Sequence, residues 1–128
     1  MKRLLFLGFV VVVLLAACAK GAPPYTDNGN PGQIKVIVFV DGNQNGVLDG
    51  NEQGLQAKTA IMQEISCPGT SQPAWQDTDA SGVYTFKDLK PGKYCVIINA
   101  DRNITSKMTQ EVYVSSDAST TATWTVAP

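Results

Sequence analysis

From Gln33 onward the chain alternates short apolar runs with clusters of Gly, Asn, Asp, Ser and Pro, and no stretch holds a 3.6-residue apolar period long enough for a helix. The pattern predicts a mostly β domain. The first strand, Gln33–Val40, carries Ile34, Val36, Val38 and Val40 on one face and Ile37 and Phe39 on the other. Apolar residues on both faces predict an interior position or a covered outer face. A second strand near Lys58–Ile65 has an open register: Ala60 and Met62 compete with Ile61 and Ile65 for the core, and a slip of one residue exchanges them. Cys67–Pro73 reads as a loop and Ala74–Asp77 as a short third strand. Asp79–Gly82 predicts a tight turn, Val83–Lys87 a strand, Pro91-Gly92 another turn, and Lys93–Asn99 a strong strand with Tyr94, Val96 and Ile98 on one face. The tail adds strands near Glu111–Ser115 and Thr121–Val126, the last turning Ala122, Trp124 and Val126 inward. Seven short strands with frequent turns indicate an all-β sandwich.

One polar interruption has more order than a turn requires. Asp41-Gly42-Asn43-Gln44-Asn45-Gly46-Val47-Leu48-Asp49-Gly50-Asn51-Glu52 places oxygen-bearing side chains at the first, third, fifth, ninth and twelfth positions of a calcium loop, with glycine at the sixth, where the backbone turns sharply. Calcium takes roughly six to eight oxygens. Asp41, Asn43 and Asn45 are read as giving one side-chain oxygen each, Val47 its carbonyl, Asp49 an oxygen directly or through water, and Glu52 both carboxylate oxygens. The competing reading is a solvated Asn/Gly-rich turn, which accounts for any two or three of these residues but not for all of them together. The flanking sequence is a β-branched strand, so this is an EF-hand loop without its helices.

The beginning of the chain follows a different pattern. Lys2 and Arg3 precede an apolar run, Leu4–Leu15, broken only by Gly8, and the sequence continues as Leu15-Ala16-Ala17-Cys18. The run is shorter than the roughly 20 residues that span a bilayer core. The tetrapeptide resembles a bacterial lipobox, which implies diacylglycerol on the Cys18 thiol and cleavage after Ala17. Residues 1–17 are accordingly expected to be a signal peptide. Residues 18–32, with Pro23, Pro24 and Pro31 among Gly, Asn and Asp, are expected to be the lipidated cysteine and a tether. Residues 33–128 form the domain, placed in the cell envelope outside the cytoplasm and joined to a membrane by its lipid.

Composition then narrows the chemistry. The chain is 44% hydrophobic and 16% charged with a formal net charge of −1, so no basic patch recruits nucleic acid. It contains no histidine, which removes the commonest general base and the commonest zinc ligand. Cys67 and Cys95 form an even pair in an exported chain, and a disulfide is the expectation, stabilising the fold by roughly 3 to 4 kcal/mol in the chain-entropy model. Two buried free thiols are the alternative. Asp77 and Asp79 are read as turn caps, with a second reading as extra metal ligands.

A resemblance draws these features together. Val38-Phe39, Asp41, Asn43, Asn45-Gly46, Asp49, Glu52 and Gly54-Leu55, followed by Thr78-Asp79, Gly82, Tyr84, Phe86, Leu89, Pro91-Gly92, Tyr94 and Val96, are similar to the B-type repeat of serine-aspartate repeat surface proteins and to Cna B-type domains. The resemblance implies a prealbumin-like, Ig-like sandwich, calcium near the first strands, and a mechanical or spacer role. Members usually occur in tandem, whereas this chain carries one copy. Related pilin domains carry a Lys–Asn isopeptide, but here no asparagine follows Asn103, and none is expected. The function expected is a non-enzymatic, calcium-stabilised surface module, structural or adhesion-related. The alternative is a glycan- or protein-binding module of the envelope that uses Tyr25, Trp75 or Tyr113 as a stacking platform.

Overall fold

In the computed structural model, residues 21–63, 66–69, 72–100 and 108–128 are described. They contain seven strands: β1 (Gly32–Val40), β2 (Lys58–Met62), β3 (Gln76–Asp77), β4 (Val83–Leu89), β5 (Gly92–Asn99), β6 (Thr109–Val114) and β7 (Ser119–Val126). A three-stranded sheet in the order β4-β1-β7 packs on a four-stranded sheet in the order β3-β2-β5-β6. β1 pairs antiparallel with β4 and parallel with β7, so the first and last strands lie side by side and run in the same direction.

The core forms where the alternating residues of the two sheets meet. Ile34, Val36 and Val38 of β1 and Ala122, Trp124 and Val126 of β7 face Tyr94, Val96 and Ile98 of β5 and Val112 and Val114 of β6. Trp124 is fully buried and is the largest side chain in this layer. The same-face sets read for the first, fifth and last strands are therefore the ones that face the core, save that Val40 is only half-buried. Phe39 is fully buried on the opposite face of β1, beside an isolated bridge to Gly54.

The register of β2 is resolved by its neighbour. Ile61 pairs with Val96 and packs on the core, while Ala60 and Met62 pair with Ile97 and Cys95 on the outer face of the sheet. Ala60 and Met62 are buried on one face and Ile61 is half-buried on the other, which is why neither set of apolar residues yielded in the sequence pattern. A disulfide joins Cys95, in the centre of the sheet, to Cys67, with Cα atoms 5.3 Å apart. It pins the β2–β3 connection to the sheet and realises the pairing expected for an exported chain.

β3 is shorter than Ala74–Asp77, comprising Gln76 and Asp77 alone. Ile65, proposed for the second strand, lies outside the described residues, as does Cys18. Of the segment read as a tether, residues 21–32 are described, and from Tyr25 to Pro31 they lie against the turn between β6 and β7. Thr26 and Asn28 donate backbone N–H bonds to the Ser115 and Ser116 hydroxyls, and the Ser116 and Asp117 N–H groups donate back to the Thr26 and Pro31 carbonyls. These residues, read as part of a tether, form side-chain hydrogen bonds with partners 87 to 89 positions away along the chain.

Candidate metal site

β1 delivers Asp41 to the end of the sandwich and holds it there. Its backbone N–H donates to the Val126 carbonyl at the end of β7 (3.0 Å), and the residue is only 6% exposed. Its carboxylate closes the first half of the loop by accepting from the backbone N–H groups of Asn45 (3.2 Å) and Gly46 (2.8 Å). Gly46 sits at φ 75°, a left-handed conformation that glycine adopts without a Cβ penalty. Asn43 Oδ1 accepts from Asn45 N–H, and Asn45 Oδ1 from Val47 N–H, giving two successive Asx turns.

The second half of the loop folds back onto the first. The amides of Asn43 and Asn45 both donate to Asp49 Oδ2, at 2.7 and 2.9 Å. Glu52 spans the loop, one carboxylate oxygen accepting from Gly42 N–H and the other from Asp49 N–H. The five predicted side-chain ligands are thus linked in one network, and Val47 enters it through its backbone. Among the described residues, His, Cys, Asp and Glu side chains form no group of three or more able to hold a metal by themselves. Any site here must draw on amide and backbone oxygens as well, which suits a hard cation that accepts neutral oxygen donors.

The donor chemistry fits calcium in charge and in kind. Three carboxylates share the loop, and the ion pairs found among the described residues, Lys58–Asp77 and Lys93–Glu111, both lie on the other sheet. The bonds described to these three carboxylates come from N–H groups. The two amides aimed at Asp49 present the donor end of a group whose other end is an oxygen, so half-turns about their terminal torsions would exchange donors for ligands.

After Glu52 the chain leaves the loop and returns alongside β1. Val40 N–H donates to the Gln53 carbonyl, and Leu55 N–H to the Val38 carbonyl. Val38 N–H donates in turn to Gly82, at the end of the Asp79–Gly82 turn. Here Gly54 and Gly82 cross so closely that a Cβ on Gly54 would collide with the Ser81 carbonyl, and one on Gly82 with the Val38 carbonyl. The sequence contained both glycines, but nothing in it marked them as a contact.

Asp77 and Asp79 are occupied elsewhere. Asp77 pairs with Lys58 at 3.1 Å. Asp79 Oδ1 accepts from the Ser81 hydroxyl and from the Ser81 and Val83 N–H groups, as a turn cap does. The Ser81 hydroxyl foremost, and Val83 N–H after it, hold its carboxyl below the usual carboxylate value. The proposed aromatic platform comes together in part. Tyr25 stacks on Tyr113 with ring centroids 6.4 Å apart, and the Tyr113 hydroxyl donates to Glu111, which also accepts from Lys93. Trp75, 41% exposed, is not part of that pair.

The fold and the loop define an all-β sandwich module carrying an oxygen-rich loop at the end of its first strand. Residues 32–127 match the SdrD B-like domain family, and the chain belongs to it. Over 70 residues, 54% of the chain, it is 37% identical to Colossin-A of Dictyostelium discoideum, and the match spans 1% of that protein. Among solved structures it is similar to a minor pilin of the Gram-positive pathogen Streptococcus agalactiae, with a TM-score of 0.52 at 16% identity, covering 77% of this chain and 46% of the pilin. A looser match, TM-score 0.46 at 18% identity, is to the backbone protein of group B streptococcus pilus 2b, covering 75% of this chain and 41% of that one.

Proposed function

We propose that this chain is a non-enzymatic structural module of the cell envelope, stabilised by calcium and held to a membrane through lipid on Cys18. The observation that carries the reading is the linked network of Asp41, Asn43, Asn45, Asp49 and Glu52, with three carboxylates and no side-chain cation among its described partners. Those side chains and the Val47 carbonyl would hold the ion. Calcium, when bound, supplies the positive charge the loop lacks. The chain's own part is to bring Asp41 in on β1, turn at Gly46 and return Glu52 to the start of the loop.

A non-catalytic role is supported by the absence of histidine from the chain and by the engagement of Asp77 and Asp79 in an ion pair and a turn cap. A location outside the cytoplasm is supported by the disulfide and by the basic, apolar start of the chain. The second reading, a glycan- or protein-binding module, draws on the Tyr25–Tyr113 stack beside Lys93 and Glu111.

Melting curves in chelator, calcium or magnesium test the metal reading. Calcium at about 100 times its dissociation constant adds roughly 2.7 kcal/mol by mass action, and magnesium does less because it demands tighter octahedral geometry. Glu52→Gln should reduce the calcium shift. Equal melting in chelator and millimolar calcium, with no binding heat, would leave the loop a polar turn. Acyl labelling tests the anchor separately: Cys18→Ser should abolish it, and unchanged labelling would refute the lipid.

A further inference from the structure

The segment Tyr25–Pro31 is a strap laid along the outside of a finished sandwich. Six hydrogen bonds hold it to Ser115, Ser116 and Asp117, and every side-chain bond among them is exposed to solvent. Apart from Tyr25, which is half-buried against Tyr113, all its residues are exposed and none belongs to the core. Asp117 is the hub. One of its carboxylate oxygens accepts the amides of both Asn28 and Asn30, at 3.0 Å each, while its N–H donates to the Pro31 carbonyl. The residue is held at φ 57°, in the left-handed region that aspartate tolerates better than most side chains.

We propose that this strap is a releasable element, docked on the β6–β7 turn through Asp117 and able to detach while the sandwich stays folded. Water competes for each exposed bond, so each contributes little, whereas ordering the seven residues sacrifices conformational freedom. Detachment removes nothing from the core. The β1–β7 pairing begins at Gln33 with Ser119, beyond the strap, and is independent of it. Release frees seven residues and extends the reach of the domain from whatever holds its N-terminal side by at most about 25 Å. A docked strap fixes how the domain sits on that attachment, and a detached one lets it swivel. The inference requires neither calcium nor lipid.

Hydrogen exchange on the full-chain protein, resolved to individual amides, tests it. In the wild type, the N–H groups of Thr26, Asn28, Ser116 and Asp117 should be protected, yet exchange at least tenfold faster than those within β1 and β7. In Asn28→Ala/Asn30→Ala, which alters only the strap, their protection should fall at least tenfold further while β1 and β7 exchange unchanged. Two results would overturn the proposal. One is strap amides that exchange as slowly as the β1–β7 ladder, making the strap part of one cooperative unit. The other is undiminished strap protection in the double variant, removing Asp117 as hub.

Discussion

At one end of the sandwich, Asn43 and Asn45 aim both amides at a single oxygen of Asp49, and at the other end Asn28 and Asn30 do the same to a single oxygen of Asp117. In both pairs the second asparagine's N–H donates to the first one's side-chain oxygen. The wiring is alike, but the fastening differs. The Asp41–Glu52 loop is continuous with β1, is anchored by a buried aspartate, and returns through the Gly54–Gly82 crossing. The strap meets the sandwich only at its surface. A polar network therefore becomes an integral part of the fold when the backbone on both its flanks is tied into a sheet, and remains an accessory when one flank is free of it.

The largest test of that difference is Gly82→Ala. A methyl group directed into the Val38 carbonyl, at φ 76°, should cost about 3 kcal/mol or more, read as a lowered denaturant midpoint with the slope unchanged. A loss below about 0.5 kcal/mol would show the crossing to be pliant. Next comes the proposed calcium: at about 100 times its dissociation constant, its roughly 2.7 kcal/mol should appear as slower amide exchange at Asn45, Gly46 and Val47, with the strap amides unaffected. Equal slowing at both ends would mean that the two regions are coupled or that both take up the ion.

Smaller again is Asn28→Ala/Asn30→Ala, which should change global stability by less than about 0.5 kcal/mol while loosening the strap. A drop comparable to that of Gly82→Ala would erase the distinction between the ends. The smallest effect is set by acid. Asn28 first, then Asn30, hold the Asp117 carboxyl below the usual value of 3.8. A depressed folded-state value means that the strap keeps this contribution above about pH 4 and loses it as the pH falls through the folded value. Lys87 and Asp88 line the same cleft, and Asp27 lies in the strap, so the titration should be followed at each carboxyl by NMR. A midpoint for Asp117 at or above 3.8 would contradict the double amide contact.

The strands were legible because alternation over five or more residues leaves few choices of face, and β1, β5 and β7 begin and end within two residues of the expected limits. The grouping of the loop's polar side chains was legible because they lie close together in the chain. What failed to show was whatever depended on residues far apart in sequence. The register of β2 needed Val96 beside Ile61, and the strap needed Asp117 opposite Asn28. A Pro- and Asn-rich stretch with no apolar period carries no mark of a partner nearly ninety positions away. Trp75, read into the third strand with Ala74–Asp77, stands just outside the two residues of β3 and is 41% exposed.

The parallel pairing of β1 with β7 also decides how the molecule bears tension. Gly32 and Val126 stand at opposite ends of one ladder, and eight residue pairs lie between the strands from Gln33–Ser119 to Val40–Val126. A pull on the two ends of the domain runs along those strands, so the rungs resist in shear and share the load instead of unzipping singly. The last rung is extended by Asp41 N–H on the Val126 carbonyl, which puts the first residue of the oxygen-rich loop at the terminus of the stressed ladder. A cation gripped there would act as a rivet at the point where the two strands would begin to slide.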